Sequence, residues 1–219
     1  SSDILSGHSI TYFLKTILSN YEKSKFEIIL VLSNSKEDKL TNNFKNLVDK
    51  TINISQLNNV NAINQVRELN LDILVDLMGY TSTHRIELFK SRMAKKQIIW
   101  MGYCNTTGLK NMDYIISDLN LINREEEKFY TEKVIYLPKI WNTHCGFDFE
   151  RKENSPPFFK KKFFTFGSFN SFDKINSDVV SCWSNILKKI SNSKLILKTS
   201  KRQHAQDRIK ELFKKNEVL

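Results

Sequence analysis

Residues 72–77 have the sequence DILVDL, which is the clearest buried strand in the chain. A short run of branched apolar residues is typical of a parallel strand covered on both faces, and Gly79 directly after it predicts a turn. Further short apolar runs predict strands at 26–32, 51–54, 97–101, 113–117 and 134–137. Segments with helical spacing lie among them, at 10–20, 38–50, 60–69 and 87–91. This alternation predicts an α/β fold with a parallel sheet and helices on both of its faces.

A second series of the same kind follows residues 142–162, which have no clear period, contain Pro156 and Pro157, and are predicted to form a linker. After this segment the pattern predicts strands at 163–169 and 194–198 and helices at 177–190 and 202–215. The predicted organisation is therefore a first domain, a linker and the beginning of a second α/β domain, at 1–141, 142–162 and 163–219. Ligands of parallel sheets bind beyond the carboxyl ends of the strands, so the loops after 72–77 and 97–101 are candidate binding loops.

The composition indicates which classes of ligand and partner the protein binds. A net charge of +10 suits an anionic ligand, but the lysines are scattered and the densest basic patch, residues 160–162, is short, so we do not expect nucleic acid. No apolar run approaches the roughly 20 residues that a membrane-spanning helix needs, so we expect no membrane partner. The cysteines at 104, 145 and 182 form no CxxC pair, which predicts no zinc site and fits reduced thiols in a cytoplasm. No GxGxxG follows a strand, which disfavours a dehydrogenase.

Three longer stretches carry a resemblance to a known family. They are DILVDLMGYTSTHRIELF at 72–89, QIIWMGYCNTTGLKNMDYIISD at 97–118 and FTFGSFNSFDKI at 164–175. In order and spacing they resemble the catalytic region of the protein O-GlcNAc transferases and their bacterial and plant relatives, over nearly the whole chain. The chain departs from the family pattern at Cys104, where the family usually has proline.

The resemblance implies a GT-B fold, in which two Rossmann-like lobes face each other across a cleft. It also implies an inverting transfer of a sugar from a UDP-sugar donor to Ser or Thr hydroxyls of an acceptor protein, without a metal or another cofactor. Residues 1–141 would be the N-terminal lobe without its first strand, and 163–219 the truncated start of the C-terminal nucleotide-binding lobe. From this stretch alone we expect little or no turnover.

The second lobe supplies the candidate for the diphosphate. By the resemblance, Lys174 matches the family lysine that contacts the UDP phosphates, and a lysine after a strand end can offset charge on a departing diphosphate. Ser171 lies where animal members often carry a glutamine near the nucleotide. Without the resemblance, Lys174 would be read as a solvated lysine in a lysine-rich chain.

The N-terminal segment supplies the candidates for proton handling. SSDILSGHS at 1–9 resembles the family loop in which an Asp and a His are assigned to the active site, here Asp3 and His8. Histidine suits this role because its ordinary pKa lies near neutrality. The alternative is a histidine at a helix N-terminus, with Ser6 or Ser9 as the cap.

The loop after residues 97–101 supplies the candidates for the donor sugar. By the resemblance, the backbone at Met101 and Gly102 approaches the sugar, and a glycine permits such close contact. Thr106 and Thr107 continue the loop, and their hydroxyls could line the cleft.

Three other functions stay open at this point. Relatives that use GDP-fucose suggest the same fold with another donor. Loss of activity would leave a non-catalytic Rossmann-like binding module. A nucleic-acid binder would need its basic residues clustered on one face.

Overall fold

The structure is a computed structural model, and the residues it describes are 4, 8–81, 84–147, 154–198 and 202–218. The chain divides into two compact units, Ser1–Asp148 and Phe149–Leu219. The boundary falls inside residues 142–162, the segment that the sequence predicts to be a linker.

The first unit is an α/β unit in which every strand pairing is parallel. Its helices are α1 (Ser9–Leu18), α2 (Lys39–Lys45) and α3 (Asn59–Glu68), with 3₁₀ turns at Ile86–Lys90 and Glu127–Phe129. Its strands are β1 (Ile29–Leu32), β2 (Lys50–Asn53), β3 (Ile73–Asp76), β4 (Lys96–Ile99), β5 (Tyr114–Ser117) and β6 (Lys133–Tyr136). Strands β1 and β2 form one pair, and β3 to β6 form a four-stranded sheet in chain order.

Three details differ from the sequence pattern. The strand predicted at 26–32 is shorter, the helix predicted at 38–50 ends at Lys45, and the helical segment predicted at 87–91 is a 3₁₀ turn. The connections at 100–113 and 118–132, all of whose residues the structure describes, contain no α-helix, so irregular backbone takes the place of the usual crossover helix. Glycine, asparagine and threonine in the first connection, GYCNTTG at 102–108, favour turns over a helix.

The core of the first unit includes the loops that follow its strands. One cluster gathers buried residues of the four-stranded sheet and of α3, including Leu74, Ile99 and Val66. A second cluster packs α1 and α2 against β1, and it contains Leu77 and Met101 from the loops after β3 and β4. The carboxyl ends of these two strands are therefore held by core packing rather than left in solvent.

The described residues of the second unit form two parallel strands and three α-helices. Its elements are α4 (Pro157–Lys161), β7 (Phe164–Ser168), a 3₁₀ turn (Phe172–Lys174), α5 (Ser177–Lys189), β8 (Ser193–Leu197) and α6 (Gln203–Lys215). Strands β7 and β8 pair in parallel, and the buried core joins Phe172 and Ile175 of the turn to Val180 of α5 and Ile209 of α6. The short helix α4 lies within the predicted linker and begins with Pro157, a residue that suits the first helical position.

Among the residues described, no helix combines the length and the apolar character that crossing a membrane requires.

Candidate functional site at the strand ends

The loop after β3 is anchored by a buried carboxylate. Asp76, the last residue of β3, is 2% exposed, and its Oδ2 accepts a hydrogen bond of 2.6 Å from the backbone N–H of Gly79. Burial raises the pKa of Asp76 above its ordinary value, although the N–H groups of Gly79 and Met78 donate to the carboxylate and act in the opposite direction. Asp76 therefore fixes the turn as it leaves the sheet.

Two glycines let this loop and the loop after β4 touch each other. A Cβ built on Gly79 would lie 2.3 Å from Cβ of Tyr103, and one built on Gly102 would lie 2.0 Å from the carbonyl oxygen of Leu77. Neither position has room for a side chain. The sequence predicts close approach of Gly102 to a donor sugar, which stays a prediction; the structure gives this glycine a second reason, the close approach of the neighbouring loop.

Met101, in the loop after β4, is buried. The residue is 4% exposed, and its side chain packs in the cluster that contains Leu77 and Leu32. Its φ of +70° is in the left-handed region, which non-glycine residues adopt only where the surroundings require it. The backbone contact with a donor sugar that the resemblance implies for Met101 stays a prediction.

The two threonines of this loop are tied to one carboxylate. Thr106 donates through its hydroxyl to Oε2 of Glu132 at 2.7 Å, and Thr107 donates through its backbone N–H to Oε1 at 2.8 Å and also through its hydroxyl. The carbonyl oxygen of Thr107 accepts a hydrogen bond of 2.7 Å from the phenol of Tyr80. Both threonine hydroxyls thus have a partner inside the protein, and sequence reasoning missed Glu132 and the role of Tyr80. A single glutamate in EEEKFYTEK carries no local signal of burial.

His8 lies at the N-cap of α1. Its Nδ1 accepts a hydrogen bond of 3.3 Å from the backbone N–H of Ile10, so His8 is itself the cap in place of Ser6 or Ser9. Because a neutral imidazole has one donor and one acceptor nitrogen, this contact assigns the proton to Nε2. Asp3, the second candidate for proton handling, lies outside the described residues.

Arg85 has a structural role in the first unit. It donates to the carbonyl oxygens of Ile54 and Leu57 at 2.7 and 3.0 Å, and to Oδ1 of Asn59 at 2.7 Å. These contacts tie the connection after β3 to the one between β2 and α3. Partial burial lowers the pKa of Arg85, while the charge of Glu87 acts in the opposite direction.

In the second unit, the candidates Ser171 and Lys174 lie at the turn after β7. Ser171 begins the turn, with its hydroxyl 3.4 Å from the backbone N–H of Asp173. Arg208 of α6 donates to the carbonyl oxygens of Phe172 and Ile175, at 3.0 and 3.1 Å.

Lys174 itself is exposed at the end of this turn. Within the part of the chain that the structure describes, no carboxylate forms an ion pair with it. Phe172 and Ile175, on either side of it in the sequence, are buried, so the backbone is fixed while the ammonium group faces solvent.

The described residues contain no group of three or more His, Cys, Asp or Glu side chains arranged to hold a metal ion.

Comparison with known proteins decides the family. Residues 1–146, which are more than half of the chain, match the family model described as glycosyl transferase family 41. The chain belongs to glycosyl transferase family 41. The matched residues include His8, Met101, Gly102, Thr106 and Thr107, and they end before Ser171 and Lys174.

Curated relatives of this family 41 chain include plant proteins. Over 195 residues it is 31% identical to a probable UDP-N-acetylglucosamine–peptide N-acetylglucosaminyltransferase SPINDLY of Eustoma exaltatum subsp. russellianum, covering 87% of this chain and 21% of that protein. Over 211 residues it is 26% identical to the SEC protein of the same description from Arabidopsis thaliana, covering 90% of this chain and 21% of that protein. The family 41 chain therefore spans about a fifth of the length of these relatives.

Among solved structures, a mutant of the Thermobaculum terrenum O-GlcNAc transferase matches 99% of the family 41 chain and 41% of its own, with a TM-score of 0.88 and 26% sequence identity. The likeness confirms the predicted fold class, a GT-B-type α/β architecture with Rossmann-like parallel sheets.

Proposed function

We propose that this family 41 chain is part of a protein O-GlcNAc transferase, which transfers N-acetylglucosamine from UDP-N-acetylglucosamine to Ser or Thr hydroxyls of acceptor proteins. The observation that carries the proposal is the match of 99% of the chain, at a TM-score of 0.88, to an O-GlcNAc transferase. The names of the plant relatives, which specify the same donor and a peptide acceptor, support it.

The proposed reaction is a single displacement with inversion. The hydroxyl oxygen of the acceptor attacks the anomeric carbon, the bond from that carbon to the diphosphate oxygen breaks, and UDP leaves with the electron pair. The acceptor hydroxyl loses its proton in the same step. Negative charge grows on the diphosphate as the bond breaks, and a positioned cation lowers the energy of that state.

Lys174 is the residue that we assign to the diphosphate. Its ammonium is exposed, the turn behind it is held by buried Phe172 and Ile175, and the turn follows the carboxyl end of β7. These properties support a phosphate contact because the charge is available while its backbone is fixed. We assign no metal to the reaction, on the strength of the resemblance and of this cation.

The N-cap contact of His8 at α1 supports different roles for His8 and Asp3 in the reaction. With Nδ1 accepting from Ile10, His8 offers an N–H at Nε2 and acts as a hydrogen-bond donor rather than as a base. Of the two residues that the resemblance assigns to proton handling, this favours Asp3 as the group that accepts the proton.

The acceptor and the compartment are also part of the proposal. We assign a protein or peptide acceptor, and we place the protein in the cytoplasm. The three cysteines, Cys104, Cys145 and Cys182, are exposed thiols without a disulfide, which supports a reducing compartment.

Isothermal titration of the natural full-length protein with UDP, together with transfer assays using UDP-N-acetylglucosamine and GDP-fucose, tests the proposal. We expect saturable UDP binding that weakens about tenfold or more in Lys174→Ala, as loss of a charged phosphate contact predicts. Lys189→Ala, at an exposed lysine in the last turn of α5, is the matched control and should bind like the unaltered protein. Transfer from GDP-fucose alone would overturn the assigned donor, and no nucleotide binding at all would favour a non-catalytic module.

A further inference from the structure

Glu132 is a buried carboxylate whose partners all carry neutral donors. It is 3% exposed and lies directly before β6. Oε1 accepts the backbone N–H and the hydroxyl of Thr107, and Oε2 accepts the hydroxyls of Thr106 and Thr131 at 2.7 and 3.2 Å. No lysine, arginine or histidine in the described part of the chain forms an ion pair with it.

This arrangement suits a carboxylate. Burying a carboxylate costs free energy unless hydrogen bonds replace its water, and four donors fill its acceptor positions. A glutamine could direct its NH₂ group to the hydroxyls of Thr106 and Thr131, which can also accept, but its neutral oxygen and NH₂ group would make weaker bonds than the carboxylate makes. Glutamate therefore holds these threonines more tightly than the isosteric glutamine would.

What Glu132 holds is the middle of the connection 100–113, which contains no α-helix to stiffen it. The near end of the connection contains Met101, whose φ lies in the left-handed region, and Gly102. The resemblance implies that the backbone at these two residues approaches the donor sugar. The far end is held separately, because Asp113 accepts hydrogen bonds from the guanidinium of Arg92 and from the N–H of Gln97. Glu132 and Tyr80 are thus two anchors between these two ends, and both act at Thr106–Thr107.

We propose that Glu132 is a positioning residue for donor binding: by holding Thr106 and Thr107 it fixes the backbone at Met101 and Gly102 in the geometry that receives the sugar nucleotide. This inference rests on the proposed function. Its physical basis is preorganisation, since a loop that must be ordered at the moment of binding weakens the binding it supports.

The test compares Glu132→Gln with the unaltered natural full-length protein by two measurements. Hydrogen exchange without donor should show the amide of Thr107 exchanging at least about tenfold faster in the variant, because one of its partners no longer accepts well. Donor kinetics should show a KM for the sugar nucleotide raised about tenfold with a smaller change in kcat, because the loss concerns binding geometry. Glu132→Asp, which retains the carboxylate, should recover part of the KM.

Asp113→Asn is the matched control, because it loosens the far end of the same connection and destabilises the fold without touching the Thr106–Thr107 turn. Its donor KM should stay within about twofold of the unaltered value. An equal rise in KM for Asp113→Asn would overturn the inference in favour of a general loss of stability. An unchanged KM in Glu132→Gln would also overturn the inference. Failure of the unaltered protein to bind any donor would instead contradict the proposed function.

Discussion

The turns after the parallel strands are built differently in the two units. In the first unit, the loops after β3 and β4 are interlocked: Gly102 lies against the backbone of Leu77, Asp76 holds Gly79, and Tyr80 bonds to Thr107. In the second unit, the turn after β7 is a single 3₁₀ turn with exposed Ser171 and Lys174. Candidate residues of the first unit therefore have structural partners of their own, whereas the structure gives Lys174 no such partner among the described residues.

The sheets also differ in size. In the described residues of the second unit, β7 and β8 form a two-stranded sheet, and Phe164 and Ile196 on them are each 49% exposed. Two-stranded sheets depend on the helices packed against them for stability. The comparison implies that substitutions in the interlocked loops at Gly102 and Arg85 act first on stability, while substitutions at the turn after β7 act first on ligand binding.

The largest effect should come from Gly102→Ala. The added Cβ would lie 2.0 Å from a backbone oxygen, so the two loops must separate, and we expect about 3 kcal/mol of lost stability or failure to fold. Urea unfolding measures it. Gly108→Ala is the control, because its Cβ would meet no atom within 4 Å and only the left-handed φ of +68° costs about 1 kcal/mol. Equal effects at the two glycines would show that the loops are not interlocked.

Two arginines, one in each unit, allow the stability losses in the two units to be compared. Arg85→Ala removes three hydrogen bonds that join two connections of the first unit, and we expect a loss of about 2 kcal/mol in chemical unfolding. Arg208→Ala removes two bonds to the exposed turn of the second unit and should cost about 1 kcal/mol or less while weakening UDP binding. A larger stability loss for Arg208→Ala than for Arg85→Ala would contradict the ranking.

Acid should remove one stabilising contact of the first unit. Burial raises the pKa of Asp113, but hydrogen bonds from Arg92 and the N–H of Gln97 outweigh it and lower the pKa below its ordinary value of 3.8. A lowered folded-state pKa means that the contribution is present above about pH 4 and is lost as the pH falls through the folded-state value. Asp113→Asn should therefore cost about 1 kcal/mol near pH 7, where the carboxylate is charged in both states, and progressively less below pH 4. A difference between the two proteins that does not shrink in acid would refute this.

The smallest expected effect distinguishes the capping role of His8 from its role in the reaction. His8→Ala should cost about 1 kcal/mol because it removes the acceptor for the N–H of Ile10. His8→Asn should preserve stability to within about 0.5 kcal/mol, since asparagine is among the best N-cap residues, and should still lower transfer activity. Thermal unfolding and the transfer assay together test this, and full activity in His8→Asn would leave the histidine with a capping role only.

Much of the fold could be predicted because its signals are local. The short apolar run ILVD of β3 and the periodic apolar residues of α1 depend on neighbours two to four positions away. The absence of helices in 100–113 was harder to predict, because adjacent apolar residues such as Met112 are buried by contacts with distant parts of the first unit.

The sequence by itself determined the family, the parallel α/β pattern and the positions after the strands where a site belongs. Only the tertiary structure decided what holds those positions. Glu132 is 25 residues from Thr107, and Gly102 is 25 residues from the carbonyl of Leu77 that excludes a side chain there. No residue pattern along the chain specifies such a contact, because it arises when parallel strands and their connections are packed together, and burial then decides which polar groups must find partners.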